Sequence, residues 1–235
     1  ILLVSSGAVG CGRNFIQNYS GKVSERKAAA AIGNPILIQH YQECFKTHNL
    51  ADAQILIERD HFADRKKFLQ LRETIQELWK HGIIPICNEN DVVSDFEIRF
   101  SDNDELAALL AINFNAKKLL LGTSVEGLLD KDGSLVSVIE DFEVAQSYVR
   151  NETSAGGRGG MHSKLSVAQR AAELGVEVTI FQANRKNGII DSIEQKIGTT
   201  CVPTFSTISA HQRWIGSGAK AVGKIFVDLG AKKAL

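Results

Sequence analysis

Short runs that are apolar almost from end to end alternate along this chain with longer segments of helical period. The runs are Ile1 to Val4, Ala53 to Glu58 (AQILIE), Ile83 to Cys87, Lys118 to Leu121 and Val176 to Phe181. Between them lie Ser24 to Phe45, Phe68 to Trp79, Asp104 to Phe114 and Met161 to Leu174, where apolar groups recur at helical spacing. Strands of this composition are those buried on both faces, and a helix between two of them is a crossover to a parallel neighbour. The pattern predicts an α/β protein, a three-layer αβα sandwich with a mostly parallel central sheet. No linker, repeat or low-complexity tract interrupts it, so residues 1–235 read as a single domain.

Two segments break the rhythm. Asp130 to Ile139 (DKDGSLVSVI) is turn-rich and reads as a small hairpin, and Ser154 to Gly160 (SAGGRGG) is too glycine-rich for a regular element. From Trp214 the pattern reads as short strands ending in Lys224 to Asp228. The first run, Ile1 to Val4, is already strand-like with no lead-in, so residues upstream of it are expected to be missing.

Lys plus Arg equals Asp plus Glu at 27 each, so no gross charge excess points to nucleic acid or an anionic membrane. No apolar run approaches a membrane span, and no signal peptide is evident. The four cysteines, Cys11, Cys44, Cys87 and Cys201, form no CxxC pair, which suits a reducing, cytoplasmic compartment. The six histidines show no HxH or HxxxH spacing, so no His-based metal site is expected. Asp60 and Asp64 flank His61-Phe62-Ala63 as a helix start with capping chemistry.

Ligands of open α/β sheets bind at the carboxyl ends of the strands. Here those ends are Ser5-Ser6-Gly7-Ala8, Asn88-Glu89-Asn90-Asp91 and Gly122-Thr123-Ser124. All are small and polar, suited to a ligand held by backbone and short side chains, although such residues are also good turn formers. A second polar cluster, Asp102-Asn103-Asp104, opens the helical segment rich in Leu and Ala.

The strongest local signal is Gly156-Gly157-Arg158-Gly159-Gly160-Met161-His162-Ser163-Lys164, followed by a helix. Glycines let backbone N–H groups approach an anion, and a helix N-terminus adds its positive end. A lysine within the first turn gains nothing from the helix dipole, and makes most sense with a negative ligand beside it. The spacing is neither a Walker A loop nor a dinucleotide fingerprint, because His162 stands where the last glycine of the latter would be needed.

Together these motifs resemble the amino acid kinase family, in particular its branch acting on the γ-carboxylate of glutamate. The matching segments are SSGAVG (Ser5 to Gly10), IPICNENDVV (Ile84 to Val93), EIRFSDNDELAALLA (Glu97 to Ala111), LLLGTSVEGLL (Leu119 to Leu129) and GGRGGMHSKLSVAQRAAELGVEV (Gly156 to Val178). The resemblance implies the amino acid kinase fold and ATP-dependent, Mg2+-assisted phosphorylation of L-glutamate to glutamyl 5-phosphate, the first step of proline biosynthesis. It implies that Ser6, Asp91 and Asn103 bind the amino acid. A carboxylate such as Asp91 suits its ammonium, and N–H and hydroxyl donors suit its carboxylates.

The resemblance further assigns Lys164 and Asp104 to catalysis, Asp104 orienting lysine. Thr123, Ser124, Arg158, Gly159, Gly160, Met161, His162, Ser163 and Lys164 fall to the nucleotide. Ser124 and Arg158 stand where the family usually has Asp and a small residue, so sequence departures gather on the nucleotide side. Other implications are a homodimer or tetramer, proline as feedback inhibitor, and an N-terminal strand with a phosphate-gripping lysine and glycine loop upstream of Ile1; the appended RNA-binding-like domain of some relatives is not expected here. Two other readings stay open: a kinase for acetylglutamate, aspartate or carbamate, and a non-catalytic relative that senses an amino acid.

Overall fold

The computed structural model describes residues 1–94, 102–149, 160–203, 209–218 and 230. Strands β1 (Leu3–Val4), β2 (Asp52–Ile57) and β3 (Ile84–Glu89) form an all-parallel sheet in the order β1-β3-β2, with Val4 opposite Cys87 and Ile57 opposite Glu89. A second sheet has the order β4-β6-β7-β5, from β4 (Lys118–Thr123), β5 (Val138–Ile139), β6 (Glu177–Gln182) and β7 (Thr199–Cys201). There β4 runs parallel to β6 and β5 to β7, while β6 meets β7 antiparallel. The mostly parallel α/β architecture is the expected one, but among the described residues its hydrogen bonding falls into two sheets rather than one. The short strands β5 and β7 carry too few residues to leave a sequence signal.

The helices are α1 (Ala8–Gly12), α2 (Val23–Lys46), α3 (Asp60–Ala63), α4 (Arg65–Lys80), α5 (Asn103–Asn113), α6 (Phe142–Ser147), α7 (Met161–Glu173), α8 (Gly188–Ile193) and α9 (Ala210–Gly218), with a 3-10 turn at Arg13–Phe15. Asp64 caps α4 by accepting from the Lys67 N–H, while Asp60 instead pairs with the Lys67 ammonium at 3.3 Å. Helices α1 and α2 cross where Gly12 faces Ala29 and Gly33 faces Ala8. A Cβ on either glycine would lie within 2 Å of a backbone oxygen, so no larger residue allows that approach.

Helix α5 is the hub. Leu106, Leu109 and Leu110 pack with Ile57, Phe62, Phe68, Leu71, Ile75 and Cys87 against the first sheet, whereas Ala108, Ala111 and Ile112 pack with Leu165, Ala168, Val178 and Ile180 against the second. A helix that is apolar nearly all round belongs between two layers of core. Its N-terminus is therefore fixed by both halves at once.

The hairpin expected within Asp130 to Ile139 forms around Gly133: Leu129 bridges Leu135, and the Asp130 carboxylate accepts from the Asp132 and Ser134 N–H groups at 2.9 Å. The reading of short strands from Trp214 needs correction, because Trp214 lies inside α9. Tertiary contacts support that helix against its glycines. Arg65 stacks over the Trp214 ring at 5.3 Å, Asn113 donates to the Ser217 hydroxyl, and Arg170 donates to the Gly216 and Ser217 carbonyls. The run Lys224 to Asp228 and the loop Ser154 to Gly159 lie outside the described residues. Among the described residues no helix is long and apolar enough to cross a membrane.

Candidate active site

The helices α5 and α7 each precede a strand of the second sheet, β4 and β6, and run back along it. The start of each helix thus lies at the edge where that strand ends. At that edge Ser6 leaves β1, Asp91 follows β3, and Thr123 and Ser124 close β4. The loop after β1 is anchored by the Ser5 N–H to the Cys87 carbonyl at 3.0 Å and by the Tyr41 hydroxyl to Ser5 Oγ at 2.8 Å; Ser6 is exposed. Gly7, at φ 122°, makes the turn into α1.

A chain of amides runs from α2 to α5 beneath these loops. Asn34 Oδ1 accepts from Gln54 at 3.3 Å and, at the long limit of 3.5 Å, from Asn88. Asn88 Oδ1 accepts from the Glu89 N–H at 2.9 Å and from Asn103 Nδ2 at 3.0 Å, and Asn103 Nδ2 also donates to the Ser5 carbonyl at 3.0 Å. Asn34 and Asn88 are both buried, where unpaired amides are costly, and Asn34 Nδ2 is left without a partner among the described residues. Asp91 sits in the turn closed by the Val93 and Ser94 N–H groups on the Asn90 carbonyl, and Asn90 is held by Glu58 at 3.0 Å. Arg59 and Glu105 form an ion pair that ties the end of β2 to the first turn of α5.

Two contacts join the starts of α5 and α7. Asp102 caps α5 with Oδ1, accepting from the Glu105 N–H at 3.0 Å, and accepts from the Ser163 hydroxyl with Oδ2 at 2.7 Å. Beside it, the Lys164 ammonium donates to Asp104 Oδ2 at 2.7 Å, with the two side chains only 12% and 20% exposed. Burial holds the Asp104 carboxyl above its ordinary range, against the opposing pull of Lys164 and with a smaller push from Asp102. Burial likewise pushes the Cys87 thiol up to about 12, which leaves it a packing group.

Helix α7 starts at Gly160, whose extended backbone offers no side-chain cap, and only Lys164 N–H closes back onto the Gly160 carbonyl, at 3.2 Å. Met161 packs against the core, and His162 is exposed. Thr123 and Ser124 lie beside the end of β6, where the Thr123 carbonyl accepts from the Ala183 N–H at 2.9 Å. Arg158 and Gly159 lie outside the described residues.

The structure thus brings together Ser6, Asn103, Asp104, Ser163 and Lys164, and places Asp91, Thr123 and Ser124 on the same edge. Sequence reasoning missed Asn34, Tyr41, Arg59 and Glu105 as members of the network. Asn88 stood in a polar cluster that the sequence flagged, but Asn34, inside a helix before Pro35, carries no local signal.

A parallel α/β edge with an uncapped helix N-terminus and a lysine in its first turn describes a protein built to hold an anion. Residues 1–182 match the model of the amino acid kinase family. The chain is 37% identical to a glutamate 5-kinase of Thermoanaerobacter sp. (strain X514), with all of this chain and 66% of that protein aligned. It is 34% identical to a glutamate 5-kinase of Synechococcus elongatus, covering 67% of it. A solved isopentenyl phosphate kinase shares the fold at a TM-score of 0.56 and 16% identity, over 86% of this chain and 83% of that one. The chain belongs to the amino acid kinase family. It spans about two thirds of the length of the curated relatives it matches.

Proposed function

We propose that this chain carries the kinase site for ATP-dependent phosphorylation of the γ-carboxylate of L-glutamate, giving glutamyl 5-phosphate, and that residues 1–235 act as one catalytic domain. The observation that carries this reading is the Lys164–Asp104 pair at the junction of two helix N-termini, one residue from Asn103. The curated relatives named glutamate 5-kinase give it the substrate.

In the reaction a γ-carboxylate oxygen attacks the terminal phosphorus of ATP as the bond to the ADP oxygen breaks. Two anions must meet, so catalysis is mainly positioning and charge neutralisation. Lys164 supplies a cation beside the transferring phosphoryl, and Asp104 holds that cation in place. The free N–H groups at the start of α7 offer further donors, in line with a nucleotide role for Arg158 to Lys164; Thr123 and Ser124 take the same role at the end of β4. Ser6, Asp91 and Asn103 hold the amino acid. Mg2+ accompanying ATP would neutralise the phosphates, and as a cation usually held by phosphate oxygens and water it would ask for no cage of protein ligands. The family resemblance adds proline as feedback inhibitor and a dimer or tetramer, and the cysteine pattern suits the cytoplasm as compartment.

The test is hydroxylamine trapping of the acyl phosphate. Glutamyl hydroxamate should form only with both ATP and L-glutamate. Turnover of acetylglutamate, aspartate or carbamate in place of glutamate would refute the substrate assignment, and turnover of none would favour a sensing relative.

A further inference from the structure

Resting on the glutamate reading, we infer that Asn103 recognises the α-ammonium of the amino acid, not a carboxylate, through its side-chain oxygen. The orientation of the Asn103 amide is fixed by its partners. The Ser5 carbonyl can only accept, so the atom 3.0 Å from it is Nδ2. The same nitrogen faces Asn88 at 3.0 Å, and the Asn88 atom there is an oxygen because the Glu89 N–H, which can only donate, points at it from 2.9 Å. The other end of the Asn88 amide then turns its nitrogen toward Asn34 Oδ1.

Both hydrogens of Asn103 Nδ2 are therefore engaged within the protein. What remains is Oδ1, to which no group among the described residues donates. An amide oxygen is an acceptor only. Near neutral pH the two carboxylates of glutamate are acceptors only, and its ammonium is a donor only. Oδ1 facing a carboxylate would repel it; facing the ammonium, it accepts a charge-assisted hydrogen bond. Asp91 then supplies the countercharge, the two oxygens share the three ammonium hydrogens, and the Ser6 hydroxyl is left for a carboxylate. Asn103 becomes a specificity residue for an amine-bearing diacid over the plain diacid.

The experiment compares L-glutamate with glutarate, the five-carbon diacid that lacks the amine. The KM for glutamate and the competitive inhibition constant for glutarate are measured in the wild-type protein, Asn103→Ala and Asn103→Asp, with circular dichroism to establish folding. Loss of the contacts to Ser5 and Asn88 weakens both diacids alike, so the ratio of the two constants isolates the ammonium contact. In Asn103→Ala the preference for glutamate should fall about tenfold or more, the scale of one charge-assisted hydrogen bond. Asn103→Asp keeps an acceptor and should retain the preference. An unchanged ratio in Asn103→Ala, or a ratio that falls in both variants, overturns the assignment. Should Asn103→Ala not fold, Asn103→Leu, which keeps the side-chain volume and likewise lacks the acceptor, takes its place with the same expected fall and the same overturning result. A wild-type protein that does not phosphorylate glutamate overturns the parent reading as well, and the wild-type control separates that result from failure of the Asn103 assignment alone.

Discussion

The N-termini of α5 and α7 lie side by side yet are built in opposite ways. Helix α5 has what a helix start favours: the Asp102 carboxylate as cap, and Asp104 and Glu105 in its first turn. Helices α4 and α6 are capped in the same manner, by Asp64 and Asp141. Helix α7 starts at a glycine with no side-chain cap, has no acid in its first turn, and places Lys164 against the positive end of its own dipole. Such placement forgoes roughly 0.3–1 kcal/mol of dipole stabilisation. On the kinase reading proposed above, α5 is finished by the protein itself, while α7 is left for an anion to finish, with Asp104 holding the lysine meanwhile.

The largest effect should come from removing the cation. Lys164→Ala should lower kcat by about two orders of magnitude or more with little change in glutamate KM, as expected for a group that acts in the transition state. A kcat within about threefold of wild type would make α7 an ordinary helix start. On the α5 side, Asp91→Asn should raise the glutamate KM at least about tenfold and leave the ATP KM near wild type, since the lost partner faces the amino acid. A loss confined to ATP would move Asp91 to the other side of the comparison.

A smaller effect belongs to the bridge between the helices. Because the Ser163 hydroxyl is engaged by Asp102 at 2.7 Å, its side chain joins α7 to α5, and in the proposed site only its backbone N–H would serve the nucleotide. Ser163→Ala should lower kcat a few-fold and cost about 1 kcal/mol of stability, with the ATP KM within about twofold. A tenfold rise in ATP KM would make the hydroxyl itself a nucleotide contact.

The smallest effect is a pH dependence. Burial raises the Asp104 carboxyl above its ordinary 3.8, so the folded protein holds that proton more tightly than the unfolded chain does. Its contribution to stability is then greatest below 3.8 and is lost as pH rises through the raised value. The melting temperature of wild type minus that of Asp104→Asn should therefore fall as pH is raised from about 4 toward neutrality. A difference that grows over that range would mean that Lys164 outweighs burial.

Much of this arrangement was legible in the sequence, for physical reasons. The doubly buried strands β3 and β6 carry near-continuous apolar runs, and Asp102, Asn103 and Asp104 announce a helix start directly before an apolar helix. The glycine run before Lys164 marks an uncapped start equally plainly. What stayed hidden depends on partners far along the chain. Asn34 meets Asn88 across 54 positions and Ser163 meets Asp102 across 61, and neither pairing leaves a local trace. The helix of Trp214 was obscured by Gly216 and Gly218, because contacts from Arg65, Asn113 and Arg170 outweigh local propensity there.

The contrast between the two helix starts is tested most directly by giving α7 the cap it lacks. Gly160 has the extended backbone of a cap residue, at φ −76° and ψ −178°, and a Cβ there would meet nothing within 4 Å among the described residues, so the backbone accepts Gly160→Asp. The carboxylate should accept from the first-turn N–H groups and stabilise the fold by a few tenths to about 1 kcal/mol. It should also occupy the donors meant for phosphate and set a negative charge beside them, raising the ATP KM at least about tenfold. The account predicts a Gly160→Asp protein that melts higher and works poorly. One that melts higher and phosphorylates glutamate at the wild-type rate and ATP KM would contradict it.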